Sequence, residues 1–150
     1  MGRVLSEVSG AFRAYPILRW IPALFWMGLI FFLSAQPDLP HAPQPWLDIV
    51  LKKTGHAVLY GILARLYLWA LEGRPLSLSR PRLLALLLVL LYGASDEVHQ
   101  AFVPGRTPSL WDVLIDGIGG GLALFVRGIE SGNSGADRAF DASTRTLTER

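Results

Sequence analysis

The sequence predicts an all-α fold, a polytopic membrane protein built as a bundle of four transmembrane helices. Three observations predict it. Of the 150 residues, 51% are hydrophobic and only 17% charged, and the mean hydropathy of +0.37 is high for a water-soluble chain. Four long apolar segments follow one another, and arginine and lysine alternate between rich and poor connections. The length suits one domain.

The first segment runs roughly from Ile17 to Ala35, with no charged residue between Trp20 and Pro37. That approaches the ~20 residues a helix needs to cross a bilayer. A cleaved signal peptide is the other reading of such a stretch. About 16 residues precede it, however, and "FLSAQP" is a poor small-residue cleavage site, so a retained helix is expected. The second segment starts near Lys53 and ends near Leu71. The third starts near Leu83 and continues past Asp96, and the fourth runs from about Leu110 to Val126. These three carry ionisable groups at or just inside one end. As helices of a soluble bundle they should show polar outer faces at helical spacing, whereas "LLALLLVLLYG" is apolar all round.

The cations set an orientation. Arg3, Arg13 and Arg19 precede the first helix; Arg65, Arg74, Arg80 and Arg82 lie around the connection between the second and third; Arg127, Arg138, Arg145 and Arg150 follow the fourth. The other two connections hold only Lys52, Lys53 and Arg106. The positive-inside rule places both termini and the middle connection in the cytoplasm, with residues 37–51 and 102–109 facing out. Trp20, Trp46 and Trp111 fit interfacial anchors. Residues 1–16 are expected along the inner interface, 17–128 form the membrane domain, and the polar tail 129–150 is expected to be disordered and cytoplasmic.

Composition narrows the function classes. There is no cysteine, so no disulfide, thiolate zinc site or cysteine nucleophile is possible. The basic pI near 9.3 accompanies a net charge of only +2. No basic patch interleaves with aromatics, so nucleic acid is not an expected partner. No H-E-x-x-H motif is present, and no metal or cofactor is expected.

With this topology the unusual polar residues gather at the outer end. Ser34 and Gln36 close the first helix. Lys52, Lys53 and His56 open the second, and Asp96, Glu97, His99 and Gln100 close the third. Arg106 is in the outer connection, and Asp112 opens the fourth helix. Helical spacing groups them into stripes: Lys53, His56 and Tyr60; Tyr92, Asp96 and Gln100; Asp112 and Asp116. Ionisable groups in a spanning segment usually face the bundle interior, so Glu97, Asp116 and His56 should point inward, toward Arg106, Lys53 or water. An arginine can hold a carboxylate or a phosphate in a bidentate fork. Asp112 is equally suited to capping the fourth helix, Lys52 to snorkelling at the interface, and His41 and His99 to solvated positions. The competing reading is that the whole cluster is an internal salt-bridge network that locks the four helices together. Gly117 and Gly121 make a small-xxx-small pair suited to close helix packing.

Three stretches, "LSAQP" from Leu33, "KTGHAVLYGIL" from Lys53 and "SDEVHQAFVPGRTPSLWDVLIDGIGG" from Ser95, together resemble the VanZ-like family. That family is named for an accessory protein that lowers susceptibility to the glycopeptide teicoplanin. The resemblance covers roughly Trp26 to Val126 and rests on Glu97, Gln100, Phe102, Pro104, Gly105, Arg106, Ser109, Asp112 and a glycine near Gly119 or Gly120. Two positions depart from the family pattern. Ala57 stands where an aromatic is common, and Asp116 where asparagine is common. The resemblance implies a small polytopic bacterial envelope protein and no settled reaction.

The expected function is binding of an anionic headgroup, from a membrane lipid or lipid-linked cell-wall precursor, with a link to glycopeptide resistance. The binding set is Gln36, Lys53, His56, Tyr60, Glu97, Gln100, Arg106, Asp112 and Asp116. The alternative is an enzyme acting on a lipid-linked substrate, with His56 and Glu97 as an acid–base pair and Arg106 stabilising negative charge. A small proton-coupled transporter using Asp116, Glu97 and His56, for which a homodimer could suffice, ranks below both.

Overall fold

The structure, a computed structural model, describes Gly10 and residues 15–37, 43–72 and 80–148, with side chains through residue 130. Its described residues form four α-helices and no strand. A 3-10 turn, Pro16–Trp20, leads into α1 (Ile21–Ser34); α2 spans Pro45–Glu72, α3 Pro81–Gln100 and α4 Leu110–Thr148. Most of the N-terminal segment expected at the interface, and His41, lie outside the described residues.

The helix starts follow local chemistry. Pro45 and Pro81 open α2 and α3, where proline's missing N–H and fixed φ suit the first turn. Helix α2 begins eight residues before Lys53, the start read from hydropathy. Asp48 in its first turn pairs with Lys52 at 2.7 Å, and the acid suits that end of the helix dipole. Lys52 is therefore tied within its helix rather than simply extended to the interface. Ser109 starts α4, its hydroxyl accepting from the Trp111 N–H at 3.2 Å. The α4 backbone stays helical to Thr148 and so runs through the segment expected to be disordered from residue 129. Adding residues to an established helix needs no new nucleus, which lets a polar sequence continue it.

Helices α2, α3 and α4 pack on one another, and α1 lies against α2 with a lighter contact to α3. Tyr60, Leu63, Ala64 and Leu68 of α2, Ala85 and Val89 of α3, and Leu124 of α4 make the apolar core with Ala23 and Ile30 of α1. At the α2–α4 crossing the helices touch through backbone. A Cβ on Gly119 would lie 2.7 Å from the Ala57 Cα and closer still to its carbonyl oxygen. Gly121, by contrast, faces open space, so the small residue this packing requires is Gly119, not Gly121. Ala57, where the family pattern commonly has an aromatic, forms the other wall of this crossing.

The distribution of polarity is inverted relative to a soluble bundle. Ser34, Asp96, Glu97, Gln100 and Asp116 are buried, while large apolar side chains cover the outside. On α3, Leu83, Leu87 and Leu91 are exposed at four-residue spacing; on α4, Leu114, Ile118, Leu122 and Phe125 repeat the pattern. Phe25 on α1 is 74% exposed. Among the described residues, one helix, Pro16–Ser34 with a mean hydropathy of 1.8, is long and apolar enough by composition to cross a membrane.

Candidate functional site

The polar side chains meet at one end of the bundle, where α1 and α3 finish and α4 begins, beside the N-terminal half of α2. Three arrangements compose this end.

The first joins α1 to α3. Tyr92, Asp96 and Gln100 follow one another at four-residue spacing on α3, and all three reach α1. The Tyr92 hydroxyl donates to the Met27 carbonyl at 2.6 Å. Ser34 Oγ donates to Asp96 Oδ2 at 2.8 Å, and Gln100 Nε2 donates to Ser34 Oγ at 2.6 Å and to Asp96 Oδ2 at 3.0 Å. Asp96 is 3% exposed, and its other oxygen, Oδ1, has no protein partner.

The second is a two-rung ladder between α2 and α4. Lys53 pairs with Asp112 near the surface. One turn deeper, His56 Nδ1 lies 3.2 Å from Asp116 Oδ1, with Asp116 only 1% exposed. Three residues along α2 match four along α4, which brings both rungs into register. Tyr60 continues the α2 stripe. Its ring stacks on His56 with centroids 6.2 Å apart, and its buried hydroxyl has no protein partner.

The third is the α3–α4 connection, and it holds helix ends. Val103–Arg106 closes as a turn, with Pro104 second, Gly105 third at φ +80°, and the Arg106 N–H donating to the Val103 carbonyl at 3.1 Å. This is the type II pattern, in which a left-handed third residue favours glycine. The turn aims Arg106 at the end of α1, where Nε donates to the Gln36 carbonyl at 3.2 Å and Nη2 to the Leu33 carbonyl at 3.4 Å. A cation there complements the helix dipole and satisfies carbonyls that lack intrahelical partners. Glu97 does the converse job at the start of α4, accepting the Ser109 N–H at 2.6 Å.

The sequence-selected residues therefore divide. Lys53, His56, Tyr60, Asp112 and Asp116 form one connected group, and Gln100 joins Asp96 and Ser34 in another. Glu97 and Arg106 hold backbone groups rather than each other. Among the described residues, no hydrogen bond joins His56, Glu97 and Arg106, the three residues of the acid–base reading. Gln36 contributes its carbonyl to Arg106, while its side chain folds back onto the Phe32 carbonyl at 3.0 Å, outside the cluster. His99 is not a solvated group, because its ring stacks on Phe31 with centroids 4.1 Å apart. No three histidine, aspartate or glutamate side chains among the described residues converge as metal ligands. Ser34 and Asp96 were not in the selected set. Asp96 had a visible signal, its place between Tyr92 and Gln100; Ser34 had only its position at the end of an apolar run.

A cavity of about 170 Å³ opens beside these groups, between α1, α2 and α3. Ile30, Leu33 and Leu59 give it apolar walls. Ile30, Ser34, Asp96 and Tyr60 are its buried members, and Gly55, Lys52 and Arg106 lie on its more exposed side. His56 lines it between the two levels. Such a space suits a ligand with a polar end and an apolar body.

The family profile described as VanZ/LLP1 matches residues 19–128, which include α1 to α3, the first half of α4 and every residue of this end of the bundle. No curated protein and no solved structure matches the chain.

Proposed function

The chain belongs to the VanZ/LLP1 family, and from that premise we propose that it is a four-span integral membrane protein of the bacterial envelope. Its outer-end cavity binds the phosphate-bearing headgroup of a membrane lipid or lipid-linked cell-wall precursor. The inverted polarity supports the membrane placement: buried carboxylates inside and leucine stripes outside are stable in hydrocarbon and unfavourable in water. The cation distribution supports placing the polar end outside, with both termini in the cytoplasm.

The cavity carries the binding reading. It has apolar walls for the start of an acyl or prenyl chain and Lys52 and Arg106 toward its exposed side. Arg106 uses two of its five N–H donors on α1 carbonyls, which leaves donors for a phosphate oxygen. Lys53 is engaged by Asp112 and Lys52 by Asp48, so Arg106 is the cation that meets the ligand, with the Lys52–Asp48 pair beside it.

The test is thermal melting of the purified full chain in detergent with added phosphatidylglycerol, a polyprenyl phosphate or neutral diacylglycerol. Both phosphate lipids should raise the melting temperature if the recognised feature is the phosphate. A shift with one alone assigns the source. A ligand at ~100 times its Kd adds about 2.7 kcal/mol to stability. Arg106→Gln should reduce the shift. Equal melting with all three lipids overturns the binding reading. If the bound lipid is the one through which glycopeptides act, expression in a sensitive host should lower teicoplanin susceptibility, and Arg106→Gln should reverse that effect.

A further inference from the structure

Two buried polar groups of the cavity, the Asp96 carboxylate and the Tyr60 hydroxyl, are not used by the proposed phosphate site. Asp96 accepts two neutral donors on Oδ2, from Ser34 and Gln100, and no ion pair joins it to a lysine, arginine or histidine among the described residues. Its Oδ1 is buried without a protein partner. The Tyr60 hydroxyl, on a residue with no exposed surface, is likewise unpartnered and lines the same cavity. A buried carboxylate without a cation is expensive in a low-dielectric interior. A cavity that adjoins it lets a ligand supply the missing charge. The cations, Arg106 and Lys52, lie on the more exposed side. The cavity therefore carries an unpartnered carboxylate oxygen on its buried side and Arg106 on its more exposed side, with His56, engaged by Asp116, between them.

We infer that the cavity recognises a zwitterionic amino-phospholipid headgroup of the phosphoethanolamine type. The primary ammonium donates to Asp96 Oδ1 and the Tyr60 hydroxyl on the buried side. The phosphate meets Arg106 on the more exposed side, and the acyl chains stay outside. A primary ammonium has three N–H donors, whereas a quaternary ammonium has none and a glycerol headgroup lacks the charge. This rests on the headgroup-binding reading above and names the class of lipid within it.

The experiment measures binding of phosphatidylethanolamine, phosphatidylcholine and phosphatidylglycerol to the full chain in detergent, for wild type, Asp96→Asn and Tyr60→Phe. Wild type should bind phosphatidylethanolamine at least about tenfold tighter than the other two, the scale of a hydrogen bond to a charged group. Asp96→Asn should abolish that preference. Tyr60→Phe removes only the hydroxyl that lines the cavity beside Asp96, so it keeps the test valid if Asp96→Asn fails to fold, and it should cut the preference severalfold. Free phosphoethanolamine separates recognition of the headgroup from recognition of the whole lipid. Competition by the free compound shows that the headgroup alone suffices; binding of the lipid alone shows that the chains are also required. Equal binding of all three lipids, unchanged in both variants, overturns the amine site but leaves the phosphate reading standing. No binding of any of them overturns both.

Discussion

His56 on α2 and Asp116 on α4 face each other at 3.2 Å in the interior of the bundle, one turn beyond the Lys53–Asp112 pair. Asp116 has almost no exposed surface, so His56 is the cation that makes its burial tolerable. Asparagine is common at this position in the resembling family, and this chain instead carries an acid answered by a histidine.

Removing one member of this pair should cost more than removing both. His56→Ala strands a buried carboxylate and should destabilise the protein by about 3 kcal/mol. The double variant His56→Ala, Asp116→Asn should recover much of that loss, because an amide needs no counter-charge. Thermal melting in detergent reads the comparison. A single variant that melts with wild type would mean that water already serves Asp116.

The α2–α4 crossing gives a sharper structural contrast. Gly119→Ala drives a Cβ into the Ala57 backbone, which cannot rotate away, so α2 and α4 must separate and the protein should lose most of its folded yield. Gly121→Ala meets nothing and should be neutral or stabilising by about 0.5–1 kcal/mol through helix propensity. Yield and melting temperature of the two variants check this, with equal behaviour as the contrary result.

Much of this arrangement was legible in the chain itself. The stripe Tyr92, Asp96, Gln100 is a four-residue repeat, and all three side chains do face α1. The pairs Lys53/His56 and Asp112/Asp116 were visible as stripes, but which stripe met which depends on helix rotation and register, and one sequence does not encode those locally. Glu97 and Arg106 were read as members of a charge cluster because they are charged and close to the cluster in sequence. Their actual partners are backbone groups at helix ends, which carry no side-chain signal. Gln36 was in the binding set and Ser34 was not, yet α1 ends at Ser34, and its hydroxyl is the one that reaches α3. Of the small-xxx-small pair, Gly117 packs against Leu90 and Gly121 faces open space, while the tightest approach is at Gly119, on another face of α4.

Glu97 distinguishes a structural from a catalytic acid. Glu97→Gln keeps an oxygen to accept the Ser109 N–H and should fold with a loss below about 1 kcal/mol, whereas Glu97→Ala leaves that donor unanswered and should lose about 1–3 kcal/mol. Lipid binding should survive Glu97→Gln. If the amide variant folds normally but loses every activity of the protein, Glu97 acts through its charge and the capping role is insufficient.

Arg106 has two duties that separate by readout. Arg106→Ala should speed hydrogen exchange in the last turn of α1, because the Leu33 and Gln36 carbonyls lose their donor and the loop its anchor. Stability should fall by about 1–2 kcal/mol. Arg106→Lys should restore part of the stability but less of the phosphate affinity, since a point charge does not reproduce a planar fork. Unchanged exchange in α1 would contradict the strap.

The most direct test of a four-span bundle with its polar site outside uses the absence of native cysteine. Single cysteines are placed at Thr107, in the α3–α4 connection, and at Arg80, at the start of α3, both exposed. Spheroplasts are then treated with a membrane-impermeant maleimide. Thr107→Cys should label in intact spheroplasts and Arg80→Cys only after lysis. The reverse pattern would turn the site toward the cytoplasm, and equal labelling of both without lysis, or recovery of the protein in the soluble fraction, would contradict the membrane-spanning bundle itself.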